Sequence, residues 1–310
     1  MKKFPLAHTY SIIARDPETG QIGGAVQSHW FSVGSMVIWA RAGIGVVATQ
    51  AMVNVSYGPL GLDLMQAGIS GPDALKALLS TDPLADLRQV AMLDAQNGVA
   101  AHTGARCMES AGHIVGEGFS VQANMMANPT VWPAMAEAYR GTKGDLVDRL
   151  LAALDAAQAS GGDIRGQQST SLLVVSGPAS LEPWQERIFD LRVEDHPKPL
   201  EELRRLVRIQ RAYNQMNLGD EQMSRGDTSA ALASYSSAAA IAPEMIEIPF
   251  WHAVTLADSG HREEALPIFR QVFSQNPDWA VLLRRLPPVG MVKMASEEVE
   301  KIIQETLPTH

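Results

Sequence analysis

The chain has 310 residues, 46% of them hydrophobic and 19% charged, which is long enough for one large globular core and a smaller second one. Its formal net charge of -9 argues against a nucleic-acid partner, which requires a basic face to displace counterions from phosphate, and against an anionic membrane surface. The single cysteine, Cys107, excludes an internal disulfide. The opening MKKFPLA is too short for the apolar core of a secretory signal, and no run reaches the roughly 18 apolar residues of a membrane span, so a cytoplasmic protein is expected.

In chain order, Thr9–Ala14 and Ile22–Val26 read as strands of a hairpin around DPETGQ. Met36–Ala40 and Gly45–Thr49 are two more strands, joined at Arg41–Ile44. Two helices follow, one from Tyr57 to the Ala67–Gly68 stop and one from Ser70 to Asp82–Pro83. Val90–Asp94 and Val99–Gly104 form a hairpin through Gln96-Asn97-Gly98, whose Asn-Gly pair suits positive dihedrals. Gly116–Asn124 reads as one strand, followed by helices over Pro129–Tyr139 and Asp145–Ala159, then strands over Ser171–Ser176 and Ile188–Val193. Strands, helices, strands and helices in blocks predict an α+β layered domain with helices outside a sheet sandwich, not a βαβ winding. No glycine-rich phosphate loop follows a strand and opens a helix, so no nucleotide or other cofactor is expected.

The last third carries an internal period. Pro243 and Pro277, Ala231 and Ala265, and Tyr235 and Phe269 are each 34 positions apart, the tetratricopeptide spacing. His196-Pro197-Lys198-Pro199 marks the boundary between residues 1–197 and a helical-repeat domain over 198–310, flanked by helices at Leu200–Tyr213 and Ser296–Leu307. Such a module docks a protein partner or mediates self-association, and a homodimer or higher homo-oligomer is expected. The same helices read equally as a packed appendage that only stabilises the first domain.

Several polar residues of the first domain are candidates for chemistry. Gln50, Asn54, Ser56 and Tyr57 cluster between a strand and a helix start, and Gln122 and Asn124 end a strand, where amides and helix N–H groups meet a carbonyl-bearing ligand. Amides in such places also serve as caps and turns. Ser28–His29 places nucleophile and base types side by side, but strand neighbours point to opposite faces; Ser28 is kept as a substrate contact. His102, with Asp94 in the same hairpin to orient it, is a candidate base. His102, Cys107 and His113 are of metal-ligand type, but their spacing matches no closed zinc pattern and no metal is expected.

The stretches TYSIIARDPETG, GSMVIWARAGIGVVATQA, NVSYGPLGLDLMQAG, DAQNGVAAHTG and EDHP, spread from Thr9 to about Pro197, resemble the bacterial domain-of-unknown-function 1028 family. That resemblance implies the four-layer αββα sandwich of N-terminal-nucleophile hydrolases. It also implies Thr9 as the catalytic nucleophile, activated by its own α-amine, because Thr9 occupies the start of the first strand. A threonine hydroxyl needs an adjacent base, and an amine titrating near about 8 suits that role. Gln50 or Asn54 would steady the oxyanion. Eight residues precede Thr9, so the amine is free only once they are removed. The implied activity is hydrolysis of a small amide-type substrate; the alternative is a non-catalytic sandwich that binds a ligand while the helical repeats dock a protein.

Overall fold

The computed structural model describes residues 6–7, 9–182 and 185–308; of the eight residues before Thr9, residues 1–5 and His8 lie outside this set. The chain forms two compact units, Met1–Leu206 and Val207–His310.

In the first unit the elements run β1 (Leu6–Ala7), β2 (Thr9–Arg15), β3 (Ile22–Ser28), β4 (Ile38–Arg41), β5 (Gly45–Met52), α1 (Tyr57–Gln66), α2 (Gly71–Thr81), β6 (Arg88–Asp94) and β7 (Val99–Thr103). They continue with β8 (Gly112–Gly116), β9 (Phe119–Ala123), α3 (Val131–Gly141), α4 (Leu146–Ala159), β10 (Ser169–Val175) and β11 (Arg187–Val193). The strands make two antiparallel sheets. In the first, β5 pairs with β6 and β6 with β7, while β5's other edge is shared by β4 at Ile38–Arg41 and by β1 at Ala51 and Met52. The second has the order β11-β10-β3-β2-β9-β8.

Side-chain alternation along the strands sorts residues to one face or the other. Ile13 and Val26 of the second sheet meet Val46, Ala48, Ala91 and Leu93 of the first in a buried inter-sheet core. The opposite positions of the first sheet, Val47, Val90 and Met92, pack against Leu62, Met65 and Leu75 of α1 and α2. On the second sheet α4 lies over β2 and β3 and α3 over β8 and β9. Tyr10 Oη donates to Gln158 Oε1 of α4 at 3.0 Å. The expected helices outside facing sheets are thus present.

Three local readings are corrected. β5 runs to Met52, not Thr49, because its ladder with β6 continues through Gln50 and Ala51 and β1 partners Ala51 and Met52, so Gln50 lies inside a strand. Gly116–Asn124 is not one strand: Glu117–Gly118 turns the chain, with φ 68° at Gly118, and β8 precedes it as a separate strand. In the β6–β7 turn only Asn97 takes a positive φ, 71°. Gly98 is needed there for another reason: a Cβ would fall 2.3 Å from Asp94 Oδ2.

In the second unit α5 (Pro199–Ser224) continues past Tyr213 as one 26-residue helix that begins in the first unit. It is followed by α6 (Thr228–Ile241), α7 (Glu247–Asp258), α8 (Arg262–Gln275), α9 (Asp278–Arg285) and α10 (Ser296–Thr306). α6 and α8, 14 residues each, begin and end 34 positions apart (228 and 262, 241 and 275). α5 and α7 end with the same offset (224 and 258), and each is followed by a turn with a left-handed glycine, Gly226 at φ 80° and Gly260 at φ 88°. Ala231, Tyr235 and Ala238 of α6 are buried, as are Ala265, Phe269 and Val272 of α8.

Candidate functional site

At one end of the second sheet the inner face turns polar. Thr9, Ser28 and Ser169 are cross-strand partners on β2, β3 and β10. One row further along, Ser11 lies beside Gln122. The first sheet answers with Gln50 of β5 and Gln89 of β6, paired across the ladder. Thr9, Ser11, Ser28, Gln50, Gln89, Gln122 and Asn124 are all fully buried. Buried amides and hydroxyls are stable only when hydrogen-bonded, and here they bond to one another.

The Thr9 carbonyl accepts from the Asn124 backbone N–H at 3.1 Å, from Gln50 Nε2 at 3.2 Å and from Asn124 Nδ2 at 3.4 Å. Gln50 Nε2 also donates to Gln89 Oε1 at 2.7 Å, which accepts Asn124 Nδ2 at 2.9 Å as well. Gln89 Nε2 donates to Thr103 Oγ1 and Ala123 O at 2.9 Å and to Gly112 O at 3.2 Å. Those two backbone carbonyls fix which end of the Gln89 amide is the NH2. On the other side, Ser11 Oγ donates to Gln50 Oε1 at 2.6 Å and accepts from Gln122 Nε2 at 2.7 Å. Two residues next to this cluster hold left-handed backbone without being glycine: Ala51 at φ 67° after Gln50, and Met125 at φ 57° after Asn124. Such conformations cost of order 1 kcal/mol or more and concentrate where the surrounding structure must aim particular groups.

The expected binding residues separate into two places. Gln50, Gln122, Asn124 and Ser28 lie with Thr9, but the three amides are engaged with neighbouring strands, Gln50 and Asn124 at the Thr9 carbonyl and Gln122 at Ser11 and Ser120. Asn54, Ser56 and Tyr57 lie on the helix side of the first sheet. Asn54 Oδ1 accepts the Ser56 N–H at 3.3 Å and the Ser56 hydroxyl at 2.8 Å, a local turn. Tyr57 Oη donates to Asp82 Oδ2 at 3.1 Å, and burial together with Asp82 raises its pKa well above the ordinary phenol range. Asp82 in turn forms a buried ion pair with Arg88 Nε at 2.8 Å. The cleft over this group holds about 180 Å³, small against the roughly 300 Å³ at which ordinary ligand pockets begin.

Asp94 and His102 do not form the expected base pair. Asp94 Oδ2 accepts the Gly71 N–H at 2.7 Å, and its Oδ1 accepts those of Gln96 and Gly98 at 2.9 and 2.8 Å. The carboxylate therefore fastens the start of α2 to the β6–β7 turn. His102 is level with Val90, whose side chain packs in the helix-side core; it lines a groove with Leu75, Lys76 and Leu79 of α2, and its Nε2 is 3.0 Å from Ala85 O. Both residues lie away from Thr9 because alternation places His102 on the outer face and Thr103 on the inner one. Cys107 Sγ donates to Arg88 O at 3.4 Å, and His113 Nδ1 is 2.8 Å from Thr103 Oγ1.

Gln89, Ser11, Thr103 and His113 are the members of the cluster that the sequence reading missed as site residues. Burial, and secondarily the neighbouring His102, lowers the His113 pKa below its ordinary 6.5; burial lowers that of His252 in the second unit. The folded chain thus resists a proton that the unfolded chain accepts near 6.5, so stability is greatest above that pH and falls as pH drops through it. The urea midpoint is expected to fall between about pH 8 and about pH 5, and to fall less in His113→Asn. Equal declines in the two proteins would show that His113 does not contribute.

An α+β protein built on two facing antiparallel sheets, with a buried polar seat around the first residue of one inner strand, is the class that these features define. Residues 9–203 match the family model described as a family of unknown function, DUF1028, and the chain belongs to that family. The crystal structure of protein SPO2555 from Silicibacter pomeroyi, of the same family, is similar at 32% sequence identity with a TM-score of 0.59, over 65% of this chain and 85% of that one. No curated protein matches the chain.

Proposed function

We propose that this chain is a hydrolase of amide bonds in small polar substrates, an αββα sandwich of the N-terminal-nucleophile kind in which Thr9 is the nucleophile once the residues before it have been released. The observation that carries this reading is that the segments on either side of the scission point pair with different sheets. Leu6–Ala7 pairs with the edge of β5 in the first sheet, whereas Thr9 opens β2 in the second, so scission before Thr9 would free an amine between the sheets. That amine would sit beside the Thr9 hydroxyl, in the seat where Asn124 and Gln50 grip the Thr9 carbonyl. The family match also begins at Thr9.

The amine would then take the hydroxyl proton while Oγ1 attacks the substrate carbonyl carbon, and would pass that proton to the departing amine as the C–N bond breaks. Water hydrolyses the resulting ester and restores Thr9. Intact-mass analysis of the active species is expected to show a chain beginning at Thr9. Full turnover by protein that still carries Met1 would overturn the amine mechanism.

A second reading, a non-catalytic ligand-binding sandwich, is favoured by the closed hydrogen bonding of the polar seat. In either case the 34-residue recurrence of helix ends and glycine turns supports tetratricopeptide-type units that dock a protein partner or a second copy.

A further inference from the structure

The hydrogen bonds around Thr9 run in one direction. Ser120 Oγ donates to Gln122 Oε1 at 2.9 Å, Gln122 to Ser11, Ser11 to Gln50, Gln50 to Gln89, and Gln89 to Thr103 Oγ1. The Thr103 hydroxyl, having accepted from Gln89, has its own proton left to give, and the atom facing it at 2.8 Å is His113 Nδ1. The chain visits β9, β2, β5, β6 and β7 and ends on β8, where His113 is the cross-strand partner of Gln122. Hydrogen bonds aligned head to tail polarise one another, so the last acceptor influences every donor behind it.

We infer that His113 is a positioning residue for Thr9: its bare Nδ1 is the terminal acceptor that orders the amides gripping the Thr9 carbonyl, and protonating it loosens that grip. A protonated ring has only donors to offer. The Thr103 oxygen would then face N–H groups from both Gln89 and His113, and its proton would lose its acceptor. Gln89 cannot turn over in response, because its NH2 is tied to Gly112 O and Ala123 O. The strain therefore passes to the Gln50 and Asn124 donors on Thr9. Among the described residues, β9 faces His113 with the uncharged Gln122, and α3 meets β8 through Trp132 at Gly112. β7 faces it with Thr103, and from its other face His102 contributes the titratable charge that acts on it. The inference rests on the proposed role of Thr9 only for its catalytic consequence.

The test is nuclear magnetic resonance of the 15N-labelled full chain, titrated from about pH 8 to about pH 5, the range in which a histidine titrates. The Tyr10 amide nitrogen shares a peptide bond with the Thr9 carbonyl and reports its hydrogen bonding. It is expected to shift with the same midpoint as the His113 ring. His113→Asn offers a carbonyl oxygen that accepts from Thr103 and does not titrate, and should abolish the Tyr10 shift; Thr103→Val, which cuts the chain one link earlier, should do the same. His102→Asn should leave it. A Tyr10 signal that stays flat while His113 titrates, or that still titrates in His113→Asn, overturns the inference. If the wild type turns over no amide but Tyr10 follows His113, the hydrolase reading fails and the positioning role stands. With turnover, the part of the acid decline of kcat that follows the His113 midpoint should be absent in His113→Asn, leaving only the decline set by protonation of the Thr9 amine.

Discussion

Thr9→Ala is expected to lower kcat on any amide substrate of the wild-type chain by about a thousandfold or more, the scale of loss when a nucleophile that forms the covalent intermediate is removed. The substitution keeps everything the structure shows acting on the Thr9 backbone. All three N–H donors from Asn124 and Gln50 go to its carbonyl, which alanine retains. The variant loses a buried hydroxyl and a methyl group, which costs about 1–2 kcal/mol, so it should fold. Thr9→Ser, which keeps the hydroxyl, should remain active. Steady-state kinetics on the three proteins, with urea unfolding beside them, separates chemistry from stability. Turnover that survives in Thr9→Ala would remove Thr9 from the mechanism and leave the sandwich without its nucleophile.

The largest effect on stability is expected at Gln89. Leucine is close to glutamine in size, yet Gln89→Leu deprives two backbone carbonyls, the Thr103 hydroxyl and the NH2 groups of Gln50 and Asn124 of a partner at a fully buried position. A buried polar group left unmatched costs about 1–3 kcal/mol, and partial relaxation of the five brings the total to roughly 3–5 kcal/mol. For a domain of this size that is a Tm lower by roughly 10 °C. A loss below about 1 kcal/mol by urea unfolding would show that the sheets do not depend on this amide for their alignment.

Much of the fold was legible because it follows from local chemistry. The short apolar runs Thr9–Ala14, Val90–Asp94 and Ser171–Ser176, bounded by turn residues, mark strands buried on both faces, and the 34-residue spacing of Ala231 and Ala265 marks repeated helices. The polar seat was only half legible. Thr9, Ser28, Gln50, Gln122 and Asn124 stand out as polar residues at strand ends, whereas Gln89 was hidden because the strand was read from Val90. Counting back by twos from Leu93 and Ala91 puts Gln89 on the inner face, which is the signal that would have found it. Asp94 and His102 misled for a related reason: proximity in a hairpin does not specify a face, and only the register shows that one closes a turn while the other packs on α2. The split of Asn54, Ser56 and Tyr57 from Gln50 depends on β5 running past Thr49 against β6 and then β1, long-range pairings that no local pattern encodes.

Cys107 gives this arrangement a chemical handle. The one thiol of the chain donates to the carbonyl of Arg88, the residue immediately before Gln89, and burial raises its pKa, so it reacts sluggishly with thiol reagents while β6 holds its place. Any slackening of β6 around Gln89 would free the thiol from that carbonyl and quicken its alkylation. The protein thus carries its own clock for the state of its buried seat, readable by mass without introducing a probe.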